Sequence, residues 1–290
     1  MSRRISAIFI DPQNSFCKTV PAQEQQVVHD GELCVPNAWS DMVRVGQMVT
    51  RLGRKIDHIS VTLDSHQWNH IAHPNWFKDA KGNPPSPFTV MREENGVIIC
   101  TVFGPSGPND VGTYTTKVPG HFNRTINYLK DLAKNKRYPH CIWPPHTLIG
   151  TPGHNVVASL MEALLEWCKT NFRTIEFVTK GSNPFVEHFS AVQAEVPDPD
   201  DPTTQLNTQF IQNVMEGDEI LLAGEARSHC LANTVRDMAN SFGDDSFIAK
   251  CVLLSDACSD VPGFEKYGED FIKEMTARGM KLSTTVEYLS

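Results

Sequence analysis

The chain has 290 residues, 40% of them hydrophobic and 21% charged, and a formal net charge of -8. That length and balance suit a globular protein with one large core or two small ones. The acidic excess excludes a partner held by its phosphate backbone, because that needs clustered Lys and Arg, and it disfavours docking on anionic membranes.

In chain order, the first apolar run, Ile5–Ile10, is too short for a signal peptide or a membrane span and ends at Asp11, so it reads as a buried strand. An amphipathic helix follows over 39–52 and a β-rich run over 58–63. Residues 78–120, with Gly82-Asn83-Pro84-Pro85 and Gly104-Pro105-Ser106-Gly107-Pro108, read as irregular. Helical periodicity returns over 122–136 and 155–168, where Val156, Leu160, Ala163, Leu164 and Trp167 share a face. A strand over 174–179 precedes a Pro- and Asp-rich stretch at 195–204. Strands over 219–223 and 247–254 then alternate with helices over 229–241 and 265–279. This alternation predicts an α/β chain: a three-layer doubly wound fold with a mainly parallel central sheet and helices on both faces. The expected organisation is a single domain over 1–290 with irregular insertions near 78–120 and 195–204, serving as lids or as surface elaboration. With no export signal and no CxxC pair, the eight cysteines read as reduced thiols of a cytoplasmic protein, mostly buried.

Ligands of such a fold bind beyond the carboxyl ends of the strands. Asp11, Asp64 and Lys180 close successive predicted strands, and Cys230 opens the helix after the fourth. A thiol titrates near 8.5, so a nucleophilic cysteine needs help. A helix N-terminus and an ammonium favour the thiolate, and a carboxylate can take its proton. Each residue alone has a bland reading, as cap, solvated cation or core thiol, but together they form a recipe for thiol catalysis. A second cluster is Asp64-Ser65-His66-Gln67-Trp68-Asn69-His70-Ile71-Ala72-His73. The Asp-x-His spacing puts both side chains on one side of an extended segment. With His146 as a candidate third ligand, it suits a divalent cation, zinc first, with iron(II) or manganese(II) as alternatives. His70 and His73 stay undecided between ligand, support and surface.

From Ile8 to about Ser259 the sequence resembles the nicotinamidase branch of the isochorismatase-like cysteine hydrolases. The resemblance is carried, in order, by Asp11-Pro12-Gln13-Asn14-Ser15-Phe16-Cys17, Asp64-Ser65-His66, Trp143-Pro144-Pro145-His146, Lys180-Gly181 and the segment Gly224 to Cys230, with Ser255-Asp256-Ala257-Cys258 after it. It implies a catalytic triad of Asp11, Lys180 and Cys230, a metal site of Asp64, His66 and His146, and substrate contacts from Phe16, Trp143, Ala226 and Arg227. It also implies a non-proline cis peptide before the nucleophile, expected at Ala226–Arg227. The implied reaction is hydrolysis of nicotinamide to nicotinate and ammonia through a thioester, with the metal positioning the pyridine ring. The alternatives are another small amide, carbamoyl or ureido, or a catalytically silent binding protein of the same fold. The implied partners are a small-molecule amide and, by resemblance, further copies of the chain in a homo-oligomer. Departures are Ala226-Arg227-Ser228 where Ala-Thr-Asp is usual, and Glu187-His188-Phe189-Ser190-Ala191 where Asp-Ser-Tyr-Ser-Ala is commoner.

Overall fold

A computed structural model describes residues 3–17, 31–104 and 107–290. The chain runs through β1 (Ile5–Ile10), α1 (Ala38–Leu52), β2 (His58–Asp64), β3 (Phe77–Lys78), β4 (Val90–Glu94), β5 (Val97–Gly104) and β6 (Gly107–Thr116). It continues through α2 (Phe122–Lys134), β7 (His140–Cys141), α3 (Ala158–Asn171), β8 (Glu176–Lys180) and α4 (Thr208–Met215). It ends with β9 (Glu219–Gly224), α5 (Ala232–Ser241), β10 (Cys251–Leu254), α6 (Glu265–Ala277) and β11 (Lys281–Ser283).

Six strands form a parallel sheet in the order β11-β10-β9-β1-β2-β8. The central strands are apolar on both faces, as strands covered by helices on each side must be. Every residue of β1 and β9 is buried, and each fully buried Ile or Phe there contributes about 1.5–3 kcal/mol. Right-handed crossovers put α1 and α3, which pack together, on one face and α4, α5 and α6 on the other. The chain leaves β1 toward β2 and β8, then returns to β9 on the opposite side of β1. That reversal is the switch point where such sheets open a crevice beyond the strand ends. Gly224 ends β9 there at φ 116°, and an added Cβ would lie 2.1 Å from Ile10 O, so only glycine lets the two strands leave the sheet together.

The expectation of an irregular 78–120 segment is overturned. β3 to β6 join β7 in a five-stranded antiparallel sheet of order β3-β6-β5-β4-β7. The signal was Asn95-Gly96, a two-residue hairpin loop closed by the pair Glu94 and Val97. Both loop residues have positive φ, 52° and 81°, as the favoured hairpin turn requires. This sheet and α2 enclose a second core that includes Ile71, Trp76, Met91, Ile98, Leu129 and Ile142. The 195–204 stretch is irregular apart from a short turn at Pro202–Thr204. It is nonetheless tied down, because Asn183 donates to both Asp198 and Asp201. The helix expected over 155–168 starts three residues later, and α4 and β11 were not anticipated. Six of the eight cysteines are buried. No helix among the described residues is long and apolar enough to cross a membrane.

Candidate active site

Four strand ends meet at the switch point. Asp11 follows β1 in a left-handed conformation, φ 41°, a strained state for a non-glycine residue that Asp tolerates better than most. Its carboxylate is fully buried. Thr62 of β2 donates to Asp11 Oδ1 at 2.5 Å and accepts the Asp11 N–H at 3.0 Å. Lys180, the last residue of β8, reaches back so that Nζ lies 2.8 Å from Asp11 Oδ2, 3.1 Å from Asp64 Oδ1 and 3.6 Å from Cys230 Sγ. Cys230 sits in a π-helical turn, Arg227–Leu231, that leads into α5.

Burial pushes the Asp11 carboxyl above its ordinary range, with the Asp64 charge adding to it and Lys180 opposing it. Burial also pushes the Cys230 thiol well up, more than Lys180 pulls it down. Burial works against the Lys180 ammonium, but Asp11, Asp64 and Cys230 hold it well above the usual lysine range. The resting state is therefore a thiol beside a charged lysine, with the carboxylate within reach of the same cation.

Asp64 closes β2, and its backbone is clamped by one side chain. Its N–H donates to Gln13 Oε1 and its carbonyl accepts from Gln13 Nε2, both at 2.8 Å. Asp64 Oδ2 faces His66 Nε2 at 3.0 Å and His146 Nε2 at 3.3 Å. The other nitrogen of each ring faces a carbonyl: His66 Nδ1 lies 3.0 Å from Gly181 O, and His146 Nδ1 2.8 Å from Pro144 O. A carbonyl oxygen only accepts, so each Nδ1 carries a proton, and each ring turns its Nε2 toward the same carboxylate oxygen. The ligand atoms of Asp64, His66 and His146 all lie within 4.8 Å of one another, and backbone-anchored imidazoles with a carboxylate are the donor set of a divalent transition metal. The residues present therefore fit such an ion. Gly181 keeps room for them: at φ 81°, an added Cβ would lie 2.9 Å from both Asp64 Oδ1 and His66 Cε1. Asp64 and His66 come from the parallel sheet, whereas His146 follows β7 of the antiparallel one. His70 and His73 are both buried beside His66.

No family model matches the chain, and no curated protein matches it in sequence. Solved structures do. The yeast nicotinamidase Pnc1p bound to the inhibitor nicotinaldehyde superposes with a TM-score of 0.60 at 16% identity, over 97% of this chain and 99% of that one. A nicotinamidase/pyrazinamidase from Acinetobacter baumanii gives 0.58 at 16% identity, over 98% of each chain. A pyrazinamidase from Pyrococcus horikoshii in complex with zinc gives 0.52 at 17%, over 97% and 99%. The fold is that of the nicotinamidases.

In this nicotinamidase fold, a small cavity opens between Cys230, Lys180 and Asp64. Phe16, Trp143 and Ala226 line it. The Phe16 ring meets His146 edge-on at 5.6 Å, and Trp143 is ringed by Phe88, Phe189, His229 and Phe264. Arg227 does not line it. Its guanidinium forms a two-pronged ion pair with Asp260, with Nε 3.0 Å from Oδ1, and its N–H donates to Ser259 O. Both ends are thus committed away from the cavity. The cis peptide expected at Ala226–Arg227 lies one residue earlier, between Glu225 and Ala226. Ile10 O holds the N–H of Glu225 and Ser259 O holds that of Arg227, so the chain reverses between these anchors.

The sequence reading missed several groups. Thr62 stands two residues before Asp64 in a strand and so shares its face, a signal that was there to use. Glu187, Phe189, His229, Leu33 and Val261 also line the cavity. Glu187 and His229 are polar but buried. Burial drives His229 down to about 3, so it is a neutral aromatic wall. Glu187, Phe189 and His229 fall in segments the sequence had marked without a role for them, whereas no local pattern marks Leu33 or Val261, whose placement depends on how distant loops pack.

Proposed function

We propose that this chain is a cysteine amidohydrolase that converts nicotinamide to nicotinate and ammonia. The observation that carries the proposal is Lys180 Nζ within 2.8 Å of Asp11 Oδ2 and 3.6 Å of Cys230 Sγ, beside a cavity that Phe16, Trp143 and Phe189 wall and that Asp64 and His146 also line. The likeness to structures holding nicotinaldehyde or zinc supports this reading. Asp11 takes the Cys230 proton and Lys180 stabilises the thiolate. The sulfur attacks the amide carbon, and the backbone N–H groups of Ala226 and Cys230 meet the oxyanion. Asp11 returns the proton to the departing ammonia. Asp11 then deprotonates a water that cleaves the thioester, releasing nicotinate and the Cys230 thiol. Phe16 and Trp143 wall the ring and hold the carboxamide against the sulfur. A divalent metal, zinc first, held by Asp64, His66 and His146, would supply a Lewis acid for the pyridine nitrogen when bound.

The test is a substrate panel on the metal-replete protein: nicotinamide, benzamide, which lacks the ring nitrogen, and small carbamoyl and ureido amides. Nicotinamide should exceed every other in kcat/KM by about 10²-fold or more, the discrimination a built polar contact can give. A carbamoyl or ureido compound turned over faster would transfer the site to that substrate class.

A further inference from the structure

We propose that Glu225 is a positioning residue for this reaction: it shares one proton with Asp41 of α1, and that bond fixes the turn from which the Ala226 and Cys230 N–H groups meet the oxyanion. The inference rests on the cysteine-hydrolase reading above.

Glu225 immediately precedes that turn, and both carboxyls are buried. Ser259 bridges them. Its N–H donates to Glu225 Oε2 at 3.2 Å and its hydroxyl to Asp41 Oδ2 at 2.6 Å. Arg44 holds the other oxygen of Asp41. The two carboxyls are in hydrogen-bond contact with each other, yet Glu225 Oε1 is buried and receives no N–H or O–H from any described residue. An ionised carboxylate only accepts, so two carboxyls bond to each other only when one of them carries a proton.

The surrounding charges require the same proton. Arg44 is the cation on Asp41, and it is shared: its Nε donates to Asp256 O at 2.6 Å and lies 4.0 Å from Asp256 Oδ2. Arg227 is taken by Asp260. The thiols of Cys17 and Cys258 lie beside the pair, and burial keeps both protonated. One guanidinium therefore stands against two buried carboxyls, and adjacent buried carboxyls cannot both ionise without a second cation. The proton belongs on Glu225. Asp41 lies in the first turn of α1, where a helix favours negative charge, and Arg44 and the Ser259 hydroxyl serve its ionised form. Burial, with Asp41 adding to it, holds the Glu225 carboxyl well above its ordinary range.

An O–H···O⁻ bond of this kind is among the stronger hydrogen bonds. It pins the Glu225 side chain to α1, while Ile10 O and Ser259 O pin the backbone on either side of Ala226. Ala226 lines the cavity, whereas Glu225, Asp41 and Ser259 do not. Their effect therefore falls on the oxyanion and not on the bound ring.

Carbon NMR of the full-length wild type, with the Glu225 and Asp41 carboxyl carbons assigned through their own backbones, reads the proton without a variant or a substrate. Glu225 should show a protonated carboxyl at neutral pH and Asp41 a carboxylate; carboxylate shifts at both overturn the inference. In turnover of nicotinamide, Glu225→Ala should lose about 10²-fold in kcat at nearly constant KM, the cost of a misplaced oxyanion donor. Glu225→Gln keeps a donor toward Asp41 and an acceptor for Ser259, and should recover most of that rate. Undiminished kcat in Glu225→Ala, or equal losses in the two variants, overturns the positioning role. The carbon spectrum and Glu225→Gln still decide if Glu225→Ala fails to fold. A protonated Glu225 in a wild type that turns over no nicotinamide keeps the pair and strikes the function proposed above instead.

Discussion

At the residue scale, the proposed reaction turns on where one proton sits among Asp11, Lys180 and Cys230. Asp11 is held above the ordinary carboxylate range by burial, and Thr62 works against that by donating to Oδ1 at 2.5 Å. Donation to the ionised form lowers a carboxyl pKa, so Thr62→Val should raise it. The base is lost as pH falls through that value, and the acid limb of kcat/KM should move to higher pH by about one unit, the worth of one charge-assisted hydrogen bond. A limb that stays in place in a pH–rate profile would remove Asp11 as the titrating base. The four residues that converge at the switch point were legible because polar groups at the ends of apolar strands stand out: Asp11, Asp64, Lys180 and Cys230 needed no knowledge of the loops. Arg227 was misread because its partner, Asp260, lies 33 residues away and nothing local marks the pair.

At the element scale, the antiparallel sheet is part of the site's frame. β7 leads directly into Trp143 and His146, and the loop from His66 to β3 buries Ile71 and Trp76 in the core beneath that sheet. The β4–β5 hairpin depends on Gly96 at φ 81°. Gly96→Ala forces a Cβ into the left-handed region and should cost about 1–2 kcal/mol. Hydrogen exchange should show lost protection in β4 and β5 and unchanged protection in β1 and β9. Uniform loss over both sheets would mean they unfold as one unit. The parallel sheet was readable from its continuous apolar runs. The antiparallel one was not, because Gly107, Pro108 and Gly112 lie within the mostly exposed β6 and look like loop, and only Asn95-Gly96 betrays the hairpin.

At the scale of the whole molecule, the two cores are joined by a buried charge cluster. Arg137, just after α2, holds Asp237 of α5 through two contacts of 2.8 Å and Glu195 at 3.2 Å. One guanidinium cannot neutralise two buried carboxylates. Burial pushes Glu195 up to about 8, with Arg137 opposing and Asp237 adding. An unfolded chain loses that proton near its ordinary value of 4.5. Between these two pH values the folded state holds a proton the unfolded state has released, so stability is full at the acid end. It falls by up to about 1.4 kcal/mol per pH unit as pH rises. Glu195→Gln should flatten urea-denaturation stability across that window, and an unchanged slope would place the proton elsewhere. This link was invisible in the sequence, where Glu195 merely opens an irregular, acidic stretch.

Attack of Cys230 on a nicotinamide carbonyl is tested by ammonia release from nicotinamide, measured for the wild-type protein beside Cys230→Ala. Steady turnover by the wild type is expected, with a loss of at least ~10³-fold in Cys230→Ala, as when the nucleophile of a catalytic triad is removed, and with the circular-dichroism spectrum and melting temperature preserved. Turnover that survives in Cys230→Ala, or a metal-replete wild type that releases no ammonia from nicotinamide, would contradict it.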